Sequence, residues 1–199
     1  MINTVVFDIG KVLVDWHPVL TGVFDKETAE AVTEAIWGSG LWAEFDLGVI
    51  ADDEIWERIE AYDPKHQKEI RYVREHQEIL GDPFPYAEEW VLDLKAKGYG
   101  VYYLSNYGKC LMDACPHFLT FLKYVDGGVF SCDVKMVKPD ERIYRLLMDK
   151  YGLNPENCLF IDDVEANVEG ARKIGMSSIC FKGYEQTYEE IMTFLEKNR

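Results

Sequence analysis

Four short polar stretches interrupt or flank apolar runs in this chain. Asp8 follows Val5-Val6-Phe7, and Ser105-Asn106 follow Val101-Tyr102-Tyr103-Leu104. Lys138 precedes Pro139, and Asp162-Asp163 follow Cys158-Leu159-Phe160-Ile161. A carboxylate at the end of a buried strand is costly unless it is paired, bound to a metal or kept near water. Asp8 therefore either opens a turn or belongs to a site. Three carboxylates at one edge of a sheet repel one another unless a cation joins them. Hard oxygen donors with open positions suit Mg²⁺, which takes one or two carboxylates plus water and phosphate oxygens. Ser105, Asn106 and Lys138 supply the donors and the positive charge that a phosphate needs. A carboxylate that attacks phosphorus forms an aspartyl-phosphate, which water can then break.

These groups need a scaffold that brings them to one edge. Short, β-rich apolar runs predict strands over 5–7, 101–104, 128–130, 158–161 and 178–181. Helical spacing of apolar residues marks the segments between the later strands, and Lys138-Pro139 suits a helix start. This alternation predicts an α/β fold, a Rossmann-like parallel sheet core with helices on both faces. Ligands of such sheets bind at the carboxyl ends of the strands, where all four polar stretches fall.

Residues 15–85 read differently. Ala31, Val32, Ala35 and Ile36 share one helical face, as do Ile55, Trp56, Ile59 and Tyr62 behind N-caps at Asp52 or Asp53. A third helix is expected over 64–80, and no strand signal interrupts the segment. Gly81-Asp82-Pro83-Phe84-Pro85 reads as a linker. The chain thus divides into an α/β core of 1–14 and 86–199 and an inserted helical cap of 15–85, with hinges near 15–18 and 81–85.

Composition narrows the partners. Lys and Arg number 21 against 36 Asp and Glu, a net charge of −15. Such a surface disfavours nucleic acid and anionic membrane. Five cysteines without a Cys-x-x-Cys pair fit reduced thiols of a cytoplasmic protein. No run approaches the ~18 apolar residues of a membrane span. The expected partner is a small phosphorylated metabolite, bound by a monomer or homodimer.

Phe7-Asp8-Ile9-Gly10-Lys11-Val12, Leu104-Ser105-Asn106, Lys138-Pro139 and Ile161-Asp162-Asp163-Val164-Glu165-Ala166-Asn167 occur in this order across nearly the whole chain. Together they resemble the motifs of the haloacid dehalogenase superfamily of phosphohydrolases, in the branch with a helical cap after the first strand. Within it the chain looks most like bacterial sugar-phosphate phosphatases of the glucose-1-phosphate type. The resemblance implies Asp8 as nucleophile and Mg²⁺ ligand, with the carbonyl of Gly10, Asp163 and nearby Asp162 completing the metal site. It implies Ser105 and Asn106 on the phosphoryl oxygens, Lys138 as the neutralising catalytic cation, and Asn167 as an orienting group.

One position departs from the family. Most of its phosphatases carry a second Asp two residues after the nucleophile, which protonates the leaving group and activates water; here Gly10 stands there. General acid–base help is worth about 10²–10⁴-fold. The enzyme is then slow, or prefers leaving groups that need little protonation, or uses a substitute such as Asp15, His17 or a cap residue. Whether Lys11 faces the site is open. Blander alternatives stand beside these roles. Taken alone, Asp162-Asp163 is a good helix N-cap pair, Ser105-Asn106 a turn and Lys138 a surface lysine. Trp42, Phe45 and Trp56 read as cap core, with Trp42 and Phe45 the better substrate contacts. The competing functions are an inactive relative that binds phosphate or a protein, a dehalogenase, and a phosphomutase.

Overall fold

The apolar runs of the sequence become one five-stranded parallel sheet. In the computed structural model, which describes residues 1–16 and 20–198, its strands are β1 (Thr4–Phe7), β4 (Gly100–Ser105), β5 (Gly127–Phe130), β6 (Cys158–Asp162) and β7 (Ser177–Cys180), in the order β5-β4-β1-β6-β7. β1, which begins the chain's regular structure, is thus central. Side chains alternate between the faces of a strand. Val5, Phe7, Leu159 and Ile161 enter one core with Trp90, Leu94, Ile191 and Leu195, on α5 (Ala87–Ala96) and α10 (Tyr184–Lys197). Val6, Leu104 and Phe160 enter a second core with Ile143, Tyr144, Leu147 and Ala171, on α8 (Glu141–Tyr151) and α9 (Glu165–Lys173). Both faces of the sheet are covered, which explains why its strands read as continuous apolar runs.

The segment between β1 and α5 is mainly helical: α1 (Lys26–Thr33), α2 (Trp42–Leu47), α3 (Asp52–Tyr62) and α4 (Gln67–Glu75). Its base is a two-stranded antiparallel ribbon of β2 (Val14–Trp16) and β3 (Gly81–Pro83). The expectation of no strand here was therefore wrong. These strands have three residues each, too short for a periodic signal, and they form because the two ends of the insertion lie side by side. The Phe84 N–H donates to the Leu13 carbonyl and the Tyr86 hydroxyl to the Val12 carbonyl, extending the join.

Three local details also differ. The helix expected over 64–80 is broken into a 3₁₀ turn, α4 and a second 3₁₀ turn. Asp52 and Asp53 lie in the first turn of α3, after Ala51 at the cap, where they complement the helix dipole. Pro139 precedes α8 and does not open it; Asp140 is the N-cap and accepts from the Arg142 N–H. The remaining α-helices among the described residues are α6 (Lys109–Ala114) and α7 (Ser131–Val134), after β4 and β5. Among the described residues no helix is long and apolar enough to cross a membrane.

Candidate active site at the strand ends

Register brings the polar stretches together. Phe7 pairs with Ile161 across β1 and β6, so Asp8 and Asp162 come next to each other at the strand ends. Phe7 also pairs with Tyr103, so Ser105 of β4 lies at the same edge. The Asp8 N–H donates to the Ile161 carbonyl, holding this first turn against β6. The chain then turns sharply. Lys11 has a left-handed φ of 58°, and the Ile9 carbonyl accepts from Val12, Leu13 and Val14.

Lys138 is the hub. Its side chain is 1% exposed and its ammonium lies 2.8 Å from Asp8 Oδ1 and 2.6 Å from Asp162 Oδ2. Burial works against its charge, but the two carboxylates outweigh it and hold the ammonium protonated. Its backbone is clamped too. The Lys138 N–H donates to the Asn106 side-chain oxygen, and Asn106 Nδ2 donates to the Lys138 carbonyl. The Lys138–Pro139 peptide is cis.

Asp162 is fully buried and well supplied with donors. Its Oδ1 accepts from the Val164 N–H at 2.8 Å, and Asn167 Nδ2 lies 3.1 Å from both oxygens. With Lys138 this leaves Asp162 a charge held in place by protein. Asp8 differs. It is 7% exposed, and the Lys138 contact is close but poorly aligned, so Asp8 Oδ1 has no hydrogen-bond partner of good geometry. Burial pushes its carboxyl up to about 7, with Lys138 opposing and Asp162 adding to the rise. Asp163 is half-buried, and its carboxyl is raised by burial and by Asp162.

Carboxylate oxygens of Asp8, Asp162 and Asp163 lie within 4.8 Å of one another. Three gathered carboxylates, one of them with an unaligned buried oxygen, form a hard-oxygen donor set that fits a divalent cation. Asp8 and Asp163 have oxygens to offer it, whereas those of Asp162 are already engaged by Lys138, Val164 and Asn167.

Ser105 is 1% exposed, and its hydroxyl makes only a long 3.5 Å contact with the Asn106 carbonyl, so it remains available. The Asn106 side chain is engaged on both ends by the Lys138 backbone, which makes it a positioning group for that lysine. The Lys11 ammonium pairs with Asp15 and with the Trp16 carbonyl, and its charge also acts on Asp163. Asp15 is occupied by that pair on the ribbon, and His17 lies outside the described residues.

A cavity of about 230 Å³ adjoins this centre, lined among others by Trp16, Trp37, Trp42, Asp46, Asn106 and Tyr107. Trp42 packs at 5.5 Å from Trp37, at 5.1 Å from Phe45 and at 6.1 Å from Trp56. Phe45 and Trp56 are buried behind it, so Trp42, not Phe45, is the aromatic residue of that trio that faces the opening. Trp16, Trp37, Tyr107 and Asp46 were not singled out in the sequence. They come from β2, the π-helical segment Glu34–Gly38 that continues α1, the segment after β4 and α2, and only the fold gathers them.

A parallel sheet with charged groups converging at its carboxyl edge, and a helical insertion above them, defines a hydrolase of the haloacid dehalogenase type. The family model of haloacid dehalogenase-like hydrolases matches residues 2–175, and the chain belongs to that family. It is 26% identical to an (S)-2-haloacid dehalogenase of Burkholderia cepacia, over 87% of this chain and 80% of that protein. It is 25% identical to a flavin mononucleotide hydrolase of Arabidopsis thaliana, over 76% of this chain and 60% of that one. Longer curated relatives are matched over only 36% and 19% of their length. A haloacid dehalogenase family enzyme of Bacteroides thetaiotaomicron, solved with magnesium and inorganic phosphate, shares the fold with a TM-score of 0.74 at 24% identity, over 93% of this chain and 96% of that one.

Proposed function

We propose that this chain is a Mg²⁺-dependent phosphatase of a small phosphorylated metabolite, a sugar phosphate such as a sugar-1-phosphate, working through an aspartyl-phosphate on Asp8. The observation that carries this reading is the Asp8 carboxylate: buried at a strand end, 2.8 Å from the Lys138 ammonium and grouped with two further carboxylates. Asp8, the Gly10 carbonyl and Asp163 would hold Mg²⁺, with Asp162 behind them. When bound, the ion offsets the repulsion among these carboxylates and an incoming phosphate. Asp8 attacks phosphorus, the leaving oxygen departs, and water then breaks the acyl phosphate. Lys138 neutralises Asp8 and the transferring phosphoryl group, and its position is kept by Asp162 and Asn106. The Ser105 hydroxyl donates to a phosphoryl oxygen. Asn167 keeps Asp162 oriented by its two contacts.

Three tryptophans beside this centre support a sugar as the leaving group, because aromatic faces pack against the apolar C–H face of a sugar ring while its hydroxyls reach polar groups. Two relatives' names support phosphate chemistry: the flavin mononucleotide hydrolase, and the enzyme solved with magnesium and phosphate. Phosphate release from a panel of sugar phosphates, with Mg²⁺ and with EDTA, tests the reading. Release that needs the metal is expected, and silence across the panel would sink it.

A second reading is a 2-haloacid dehalogenase, favoured by the match to 80% of the Burkholderia cepacia enzyme. Asp8 would then attack the carbon that bears the halogen. The carboxylate cluster argues against it: Asp162 is engaged by Lys138, but Asp8 and Asp163 keep oxygens suited to a divalent cation, which that reaction does not use. Halide release from 2-halopropionate without added metal is the outcome that would establish this reading instead.

A further inference from the structure

Gly10 leaves the reaction without a proton donor at the usual place, and the structure gives this glycine a steric reason. A Cβ at position 10 would sit 2.6 Å from the Trp16 indole nitrogen. Trp16 cannot easily yield, because the backbone at Gly81 is also close: a Cβ there would meet its six-membered ring at 2.8 Å. It also packs at 5.7 Å from Tyr107 and 5.8 Å from Phe118. The indole thus fills the space into which an acidic side chain would extend. An indole N–H donates a hydrogen bond but does not release its proton at ordinary pH. The donor must come from elsewhere on the same opening.

Asp46 is the carboxylate on that opening. It lies on α2 and lines the cavity with Trp16, Trp42 and Asn106. Its carboxylate has no hydrogen-bond donor among the described residues, whereas its backbone is fixed. Its carbonyl accepts from the Ser131 hydroxyl, and the oxygen of that hydroxyl accepts from the Tyr107 N–H at 2.9 Å. One buried serine therefore ties Asp46 to the segment that follows Ser105-Asn106. Asp8 and Lys138 act on Asp46 from the strand ends, and Tyr107, Cys110 and Cys132 flank it from the neighbouring segments. Burial pushes its carboxyl up to about 7, with Asp8 adding and Lys138 opposing. Burial also keeps Tyr107, Cys110 and Cys132 protonated, so Asp8 and Lys138 are the charges it meets.

We propose that Asp46 is the general acid and base of this site, set on the helical insertion in place of the carboxylate that Gly10 lacks. The proposal rests on the phosphatase reading. In the first step an Asp8 oxygen bonds to phosphorus as the bond from phosphorus to the leaving oxygen breaks. That oxygen takes the proton of Asp46 and departs as an alcohol, leaving Asp46 as carboxylate. In the second step a water oxygen bonds to phosphorus while Asp46 takes its proton. The bond from phosphorus to Asp8 breaks, inorganic phosphate leaves, and Asp8 is again a carboxylate beside a protonated Asp46.

The test compares two leaving groups in Asp46→Asn, with Mg²⁺ present. p-Nitrophenyl phosphate needs little protonation of its leaving oxygen, and glucose-6-phosphate needs much. The expected result is a kcat/KM lower by about 10²–10⁴-fold on glucose-6-phosphate and by less than about 10-fold on p-nitrophenyl phosphate, which also shows that the variant is folded. Asp8→Asn should lose both. Equal loss on both substrates in Asp46→Asn, or loss on neither, overturns the role of Asp46 while the phosphatase reading stands. Activity of the unaltered protein on neither of these substrates nor on any sugar phosphate of the panel takes down that reading and this role together.

Discussion

Two acidic residues of this site, Asp162 and Asp46, meet opposite surroundings. Asp162 accepts from Lys138, Val164 and Asn167, and its partner Lys138 is itself held by Asn106. Asp46, which lines the adjoining cavity, has a tethered backbone and a carboxylate with no protein donor among the described residues. A charge that is fully engaged by protein is rigid and contributes a fixed field, the arrangement that stabilises charge developing during a reaction. A half-buried carboxyl that no protein donor engages is free to gain and lose a proton. The phosphoryl end of the site is thus preassembled, and the leaving-group end is left for the ligand to complete.

The sharpest way to break this comparison is at the nucleophile. Asp8→Asn should lower phosphate release by about 10⁴-fold or more, measured under conditions where thermal unfolding shows the fold intact. The next effect separates the two acids by stability. Asp162→Ala leaves Lys138 buried with one carboxylate and strips two donors of their acceptor. Chemical denaturation should register a loss of about 3–5 kcal/mol. Asp46→Asn should change stability by less than about 1 kcal/mol, because no protein donor is orphaned. Similar losses in both variants would erase the distinction.

Smaller effects sharpen it. Gly10→Asp, which would restore the family's acid, should instead lower stability by about 1–3 kcal/mol by overpacking against Trp16, without raising turnover. Combining it with Trp16→Ala should recover part of that loss. A more active Gly10→Asp single variant would show that the indole does not occupy the acid's space. The smallest effect belongs to Lys11. Its pair with Asp15 is about 40% exposed on both sides, so Lys11→Ala should shift stability by under about 1 kcal/mol and leave kcat/KM nearly unchanged.

The same contrast explains what could be read without the structure. Asp8, Ser105, Lys138 and Asp162-Asp163 stand at the ends of apolar runs or before a proline, and the order of those runs implied a parallel sheet with one active edge. Local patterns carry such information because strands and their ends are local. Asp46 gave no such sign. It sits in Glu44-Phe45-Asp46-Leu47, an ordinary stretch of a six-residue helix, and gains meaning only because Ser131, 85 residues away, draws its backbone to the core. The ribbon of β2 and β3 escaped notice for a related reason: its strands pair residues about 67 positions apart, as Val14 with Pro83 are 69 apart and Trp16 with Gly81 are 65 apart. The sequence and the family resemblance suggest Asn106 as a phosphate contact; its side-chain amide clamps Lys138, 32 residues on. Gly10 was legible as a missing acid, but the indole that fills its place was not.

The most direct test of the account is to find where the phosphoryl group rests during turnover. The protein would be mixed with Mg²⁺ and a sugar phosphate that it hydrolyses, quenched in acid and digested, and the peptide that contains Asp8 examined by mass spectrometry. The account predicts one phosphoryl group on Asp8, lost when Mg²⁺ is withheld. Phosphate release with Asp8 unmodified throughout, or with the phosphoryl group on another residue, would contradict it.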